Sequence, residues 1–199
     1  MTKEKILAEI SAFINNQFEL YRLEAIVENL KEDIRVEELK KTTPKNSALV
    51  MKKNSLIKAL LKSAGKSRNL SEGYIFGYGK YCFTDTFRIY YLNDNFGYSA
   101  IKTELDVEKL IDDDYDKTVE LNLAELKSLV KIYKAEGNKD RYIYYIEGYT
   151  FNAQYLIEAI EMIGSNKLML KAESKSALGR FENAEGEIAL ICPIFNRGA

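Results

Sequence analysis

The chain has 199 residues, 46% of them hydrophobic and 30% charged, and with 2 Pro and 11 Gly it cannot be collagen-like, Pro-rich or of low complexity. Lys and Arg total 29 against 30 Asp and Glu, a net charge of -1, which excludes a generally basic, histone-like nucleic-acid binder but leaves room for a local basic face. His is absent, so a Ser-His-Asp or Cys-His catalytic set, a His-ligated zinc and a His general base are all excluded within this chain.

The N-terminus, MTKEKILAEI, carries charges inside any apolar stretch and does not read as a signal peptide. No apolar run approaches the ~18 residues of a membrane span. Ile6, Leu7, Ile10, Phe13 and Ile14 follow helical spacing, and Leu23, Ile26, Val27, Leu30 and Ile34 repeat it. Residues 1–45 therefore read as a helical hairpin, either packing on the rest of the chain or serving as a partner-binding or oligomerisation arm. Thr42-Thr43-Pro44 is expected to stop the helix, because Pro lacks an amide donor and restricts its predecessor. A boundary is placed there, with residues 46–199 as the second domain.

Ala48 to Met51 reads as a short strand, with Asn54 as a plausible N-cap of a helix over Ser55 to Ala64 that Gly65 ends. Tyr74-Ile75-Phe76, Tyr81-Cys82-Phe83 and Arg88 to Leu92 are rich in aromatic and β-branched residues and are separated by turn residues, so they read as hairpin strands. Asp112-Asp113-Asp114 reads as a solvated acidic loop, the alternative being a metal site for which the spacing of ligands is missing. Thr118 to Leu121 is a predicted strand, and Asn122 caps a helix running to Glu136 with Gly137 beyond it. Arg141 to Phe151 reads as one long aromatic strand, and Asn152 caps a helix to Ile163 stopped by Gly164. Leu168 to Glu173, Ala177 to Phe181 and Glu187 to Phe195 complete the strands. Helices alternating with antiparallel hairpins predict an α+β fold with helices on one face of a sheet.

Lys58 and Lys62, followed by Lys66, form a basic row against an apolar surface of Leu56, Ile57, Leu60 and Leu61; Lys127, Lys131 and Lys134 form another against Leu123, Leu126, Val130 and Tyr133. Such rows read either as solvated helix faces or as contacts to a nucleic-acid backbone, where point charges meet phosphates without reading bases. Gln154, Glu158 and Glu161 give the last helix a polar, mostly acidic row that weakens the second reading. Asp85 and Arg88 are spaced to pair or to hold a turn. The run Ile188 to Phe195 reads as a core strand, Pro193 suiting its edge, or as the lining of a groove for apolar peptides. Cys82 and Cys192 sit in apolar contexts and read as buried reduced thiols of a cytoplasmic protein, a disulfide or a catalytic thiolate being the alternatives. No activated base or nucleophile is assembled, so a non-catalytic protein without cofactor or metal is expected.

Taken together, the lysine-faced helices, the stretch Phe83-Thr84-Asp85-Thr86-Phe87-Arg88-Ile89 and the C-terminal Leu190-Ile191-Cys192-Pro193-Ile194 resemble the bacterial DNA sliding clamp, the beta subunit of the replicative polymerase. The resemblance covers residues 48–195 in pieces. Thr118 to Tyr133 is similar to a strand and helix of the clamp's second domain, and Tyr149 to Phe195 to the last half of its third. A full clamp has three such domains, this chain has room for little more than one, and residues 1–45 have no clamp counterpart. The resemblance implies helices toward duplex DNA, through Lys58, Lys62, Lys66, Lys127, Lys131 and Lys134. It also implies a pocket for the clamp-binding peptides of replication proteins, at Thr84, Phe87, Arg88, Ile89, Leu190, Pro193 and Ile194. Because the clamp's two pocket segments belong to adjacent domains, a second copy of this chain is expected to complete the groove, with head-to-tail edge pairing as the route to a homo-oligomer. The implied protein is a compact clamp-like accessory of a phage or mobile element. The alternative is a protein-interaction module that keeps the fold and does not bind DNA.

Overall fold

The computed structural model describes Val27, Leu30 and residues 44–64, 70–111, 114–138, 142–174 and 176–194. The hairpin expected over residues 1–45 lies outside the described residues, apart from helical Val27 and Leu30 and the beginning of a helix at Pro44. The chain divides into two compact units, residues 1–54 with 96–99, and residues 55–95 with 100–199. In the first, the Tyr98 hydroxyl donates to Asn54 Oδ1 at 3.4 Å. All the candidate site residues fall in the second.

Helix α1 spans Pro44–Ala64, which corrects two expectations: Ala48 to Met51 is helical and not a strand, and Asn54 sits mid-helix. Pro44 opens this helix, and the helix it was expected to stop lies outside the described residues. The physical reason is positional. At the first turn a helical amide has no intrahelical acceptor to lose, and the fixed φ of Pro suits the helix. Leu49, Val50 and Met51 are exposed, so their apolar character reflects no sheet burial. Further along, Ile57, Leu60 and Leu61 are buried while Lys58 and Lys62 face solvent, as the spacing predicts.

Strands β1 (Gly73–Gly77), β2 (Lys80–Thr84) and β3 (Arg88–Leu92) form an antiparallel meander. After a two-residue strand β4 (Ser99–Ala100) and a 3-10 turn at Glu108–Leu110 come β5 (Lys117–Glu120) and helix α2 (Leu123–Ala135). Asn122 caps α2 by accepting from the amides of Ala124 and Glu125. The long strand expected over Arg141 to Phe151 is instead a hairpin, β6 (Ile143–Ile146) and β7 (Tyr149–Asn152). Its turn, Glu147-Gly148, has φ of 51° and 80°, the pair of positive values that a type I′ hairpin turn requires. Asn152 caps helix α3 (Ala153–Ile163), and Gly164 ends it at φ 76°. Strands β8 (Lys167–Leu170), β9 (Gly179–Glu182) and β10 (Ile188–Ile191) follow, each shorter than the sequence pattern predicts.

The main sheet has eight strands in the order β4-β1-β2-β3-β10-β9-β8-β5, with β6 and β7 as a separate pair. The last strand thus lies in the middle, bonded to β3 and β9. Registers assign the two faces, because side chains alternate along a strand. Tyr81, Phe83, Arg88, Tyr90, Leu92, Phe181, Ala189 and Ile191 share the face on which α3 packs. Ile75, Cys82, Ile89, Tyr91, Ile188 and Leu190 share the other, where Leu70 and Val107 complete a buried cluster. The Tyr91 hydroxyl donates to Val107 O at 2.6 Å, tying the segment before β5 to that face. The architecture is α+β with helices on one face of an antiparallel sheet. Among the described residues no helix is long and apolar enough to cross a membrane.

Candidate nucleic-acid and peptide interface

The lysine rows lie where their helices leave them after burying an apolar stripe. Lys58 and Lys62 on α1 are exposed, as are Lys127, Lys131 and Lys134 on α2, whose Leu126 and Val130 are buried. Lys66 lies outside the described residues. Helix α2 packs on α3, and across that seam Lys127 Nζ meets Glu161 Oε1 at 2.6 Å. Lys134 lies 5.6 Å from the centre of the Tyr142 ring.

The β2–β3 turn is held by its own side chains. Thr84 Oγ1 donates to Arg88 O at 2.8 Å and accepts from the Thr86 amide. Asp85 Oδ1 accepts from the amides of Phe87 and Arg88 at 3.1 and 3.0 Å. These bonds hold Thr86 at φ 76°, a left-handed conformation that a β-branched residue rarely adopts, and they leave Phe87 projecting 58% exposed. Asp85 and Arg88 pair as their spacing predicts, with Arg88 Nε 3.0 Å from Asp85 Oδ2.

Arg88 does more than close the turn. Its Nη1 pairs with Glu158 on α3, its Nη2 donates to Ser63 Oγ on α1 at 3.3 Å, and its guanidinium lies 4.2 Å from the centre of the Tyr155 ring. Ser63 Oγ also donates to Asp85 Oδ2 at 2.8 Å, and Gln154 Nε2 donates to Glu158 Oε1 at 2.8 Å. One buried cation therefore joins the last turn of α1, the β2–β3 turn and α3. Burial works against its charge, but Tyr90, Glu158 and Asp85 outweigh that and raise its pKa. Burial pushes up the Tyr155 hydroxyl, with the Asp85 charge adding to it. Ser63, Tyr155 and Glu158 were not singled out as partners of Arg88. They stand 25 or more residues away from it in sequence, and the only hint was the Gln154-Glu158-Glu161 row on one face of α3.

The tail meets the turn within one chain, so no second copy is needed to bring the two segments together. Leu190 pairs with Ile89 and Ile191 with Arg88 across the β3–β10 ladder. Beyond it, the Cys192 amide donates to Phe87 O at 2.8 Å and the Ile194 amide to Thr150 O at 2.7 Å. Of the groove residues, Thr84, Arg88, Ile89, Leu190 and Pro193 are buried, Ile194 is half-buried and Phe87 is exposed. Cys192 is half-buried at the rim, its thiol pushed up by burial and then by the Asp85 charge. Both cysteines are free thiols. Of the acidic loop, Asp112 and Asp113 lie outside the described residues, and among the described residues no group of three His, Cys, Asp or Glu side chains is placed to hold a metal.

The fold has a counterpart among solved structures. The chain resembles a provisionally assigned DNA polymerase III beta subunit of Eubacterium rectale, with a TM-score of 0.50 and 14% identity over 74% of this chain and 64% of that one. The fold is clamp-like. The crystal structure of the Helicobacter pylori beta clamp bound to a DNA ligase peptide aligns with a TM-score of 0.48 and 12% identity, over 75% of this chain and 64% of that one. The chain thus spans a little under two thirds of the length of the clamps it matches. No family model matches the sequence, and no curated protein matches it.

Proposed function

We propose that this is a non-catalytic, sliding-clamp-like replication accessory protein of a phage or mobile element, working in the cytoplasm. In this reading residues 46–199 form the clamp-like domain and 1–45 an N-terminal helical hairpin. Duplex DNA meets Lys58, Lys62 and Lys66 of the first basic row and Lys127, Lys131 and Lys134 of the second. The observation that carries it is the combination of a clamp-like fold with exposed lysines at Lys58, Lys62, Lys127, Lys131 and Lys134, on helices whose apolar sides are buried. An ammonium row of this kind contributes sequence-independent, salt-sensitive affinity, which is what a protein that moves along DNA requires. The mechanism is binding alone, with no covalent step.

The second contact is a groove at the β2–β3 turn and the tail for apolar clamp-binding peptides of replication proteins, at Thr84, Phe87, Arg88, Ile89, Leu190, Pro193 and Ile194. Phe87 and Ile194 present its accessible apolar surface, and the buried members set their positions. Head-to-tail association through sheet edges gives the homo-oligomer. The direct test is duplex binding at low salt. Wild type binds, and changing Lys58, Lys62, Lys127 and Lys131 together to Glu abolishes binding; no affinity in the wild type removes the DNA role. F87A weakens peptide capture and leaves duplex binding in place.

Two observations favour the alternative, a clamp-like interaction module without DNA affinity: the chain's net charge is -1, and Glu161 already contacts one of the lysines. Peptide capture without any duplex binding selects that reading.

A further inference from the structure

We propose that Glu161 sets the DNA affinity of the α2 row by competing with phosphate for Lys127. The inference rests on the DNA-binding reading above and adds a residue to it that the sequence assigned only to an acidic row.

The geometry is asymmetric. Lys127 Nζ and Glu161 Oε1 are 2.6 Å apart, but the lysine side chain is 48% exposed and the glutamate 16%. The carboxylate is therefore sunk between α2 and α3, while the ammonium stays open to solvent on its far side. Helix α3 is fixed from below, since Glu158, one turn before Glu161, pairs with the buried Arg88 and Leu156, Ile157, Ala159 and Ile160 are buried. Glu161 cannot swing away with its helix. A phosphate that approaches Lys127 meets an ammonium already neutralised, and it feels the carboxylate behind it at short range. Lys131 and Lys134, on the next turns of α2, are exposed and bear the row's remaining charge toward solvent.

A consequence is readable in counterion release. A lysine already neutralised by a fixed carboxylate displaces few of the counterions condensed on DNA, so Lys127 adds little to the salt dependence of wild-type binding. Freeing it changes that. The experiment is a binding titration of a labelled duplex against salt with the full chain, for wild type, E161Q, K127Q and the double variant, each checked by thermal melting. E161Q keeps the side chain's size and hydrogen-bonding capacity. It is expected to bind roughly three- to five-fold tighter at low salt and to steepen the log-log salt slope by about 0.9. K127Q alone is expected to change wild-type binding little, and in the E161Q background to cancel the gain.

Wild-type binding with an E161Q variant of unchanged affinity and slope overturns this inference and leaves the DNA reading standing. So does a gain in E161Q that survives in the double variant, since it then comes from general charge. Absence of binding in wild type and E161Q alike overturns the DNA reading and the inference with it.

Discussion

Replacing Arg88 by Met leaves Asp85 and Glu158 in the same pocket with no cation between them. Arg88 is 5% exposed and the Asp85 side chain 1%, so water cannot take over the lost partners. The R88M variant is expected to lose about 3–5 kcal/mol in urea denaturation, the cost of removing one member of a buried ion pair, whereas a solvent-screened pair would lose under about 1 kcal/mol. Cys82 makes a separate prediction. Burial pushes its thiol from 9.0 up to about 12, so the folded protein holds a proton that the unfolded chain has lost. Its contribution is full below pH 9.0 and is lost as pH rises toward about 12, falling by up to about 1.4 kcal/mol per unit in between. C82A is expected to flatten the alkaline limb of the stability profile just above pH 9, and the native thiol to resist alkylation until the protein unfolds. At this scale the Asp85–Arg88 pair was legible because the two residues lie three apart. Ser63 and Glu158 were not legible, because only the fold brings them to the guanidinium.

The ends of α2 and α3 were readable in the sequence. Asn122 and Asn152 cap α2 and α3 with their side chains, and Gly164 closes α3 in the left-handed conformation. N122A is expected to destabilise by about 1 kcal/mol through the two amides it orphans. G164A is expected to cost roughly 1 kcal/mol as well; an added Cβ would meet nothing within 4 Å, so backbone strain alone sets the cost. Thermal melts of the two variants check both. Pro44 opens α1 because a residue that breaks a helix interior also suits its first turn. The run Arg141 to Phe151 misled because aromatic residues flank the turn on both sides, and Glu147 takes a positive φ that its side chain does not advertise. Strand β10 ended sooner than its apolar pattern, since Cys192 and Ile194 bond to the β2–β3 turn and to β7 instead of continuing the ladder.

For the whole molecule, alternation of helices with hairpins was enough to predict an α+β fold with helices on one face. Strand order was not. Nothing local in Ile188 to Ile191 says that it inserts between β3 and β9, yet that insertion joins the turn carrying Phe87 to the tail carrying Cys192. The exposed lysines of α1 and α2 were legible from helical spacing, and their partner Glu161 was not, because the α2–α3 seam is a property of packing. The central claim is that these lysines meet phosphate, and salt titration of duplex binding tests it most directly. Wild type is expected to bind at about 50 mM salt and to weaken steeply toward about 200 mM. Changing Lys58, Lys62, Lys131 and Lys134 together to Gln is expected to flatten the log-log slope by up to about 3.6, at about 0.9 for each lost phosphate contact. A variant that binds with the wild-type affinity and slope, or a wild type that does not bind at the lowest salt, contradicts the account.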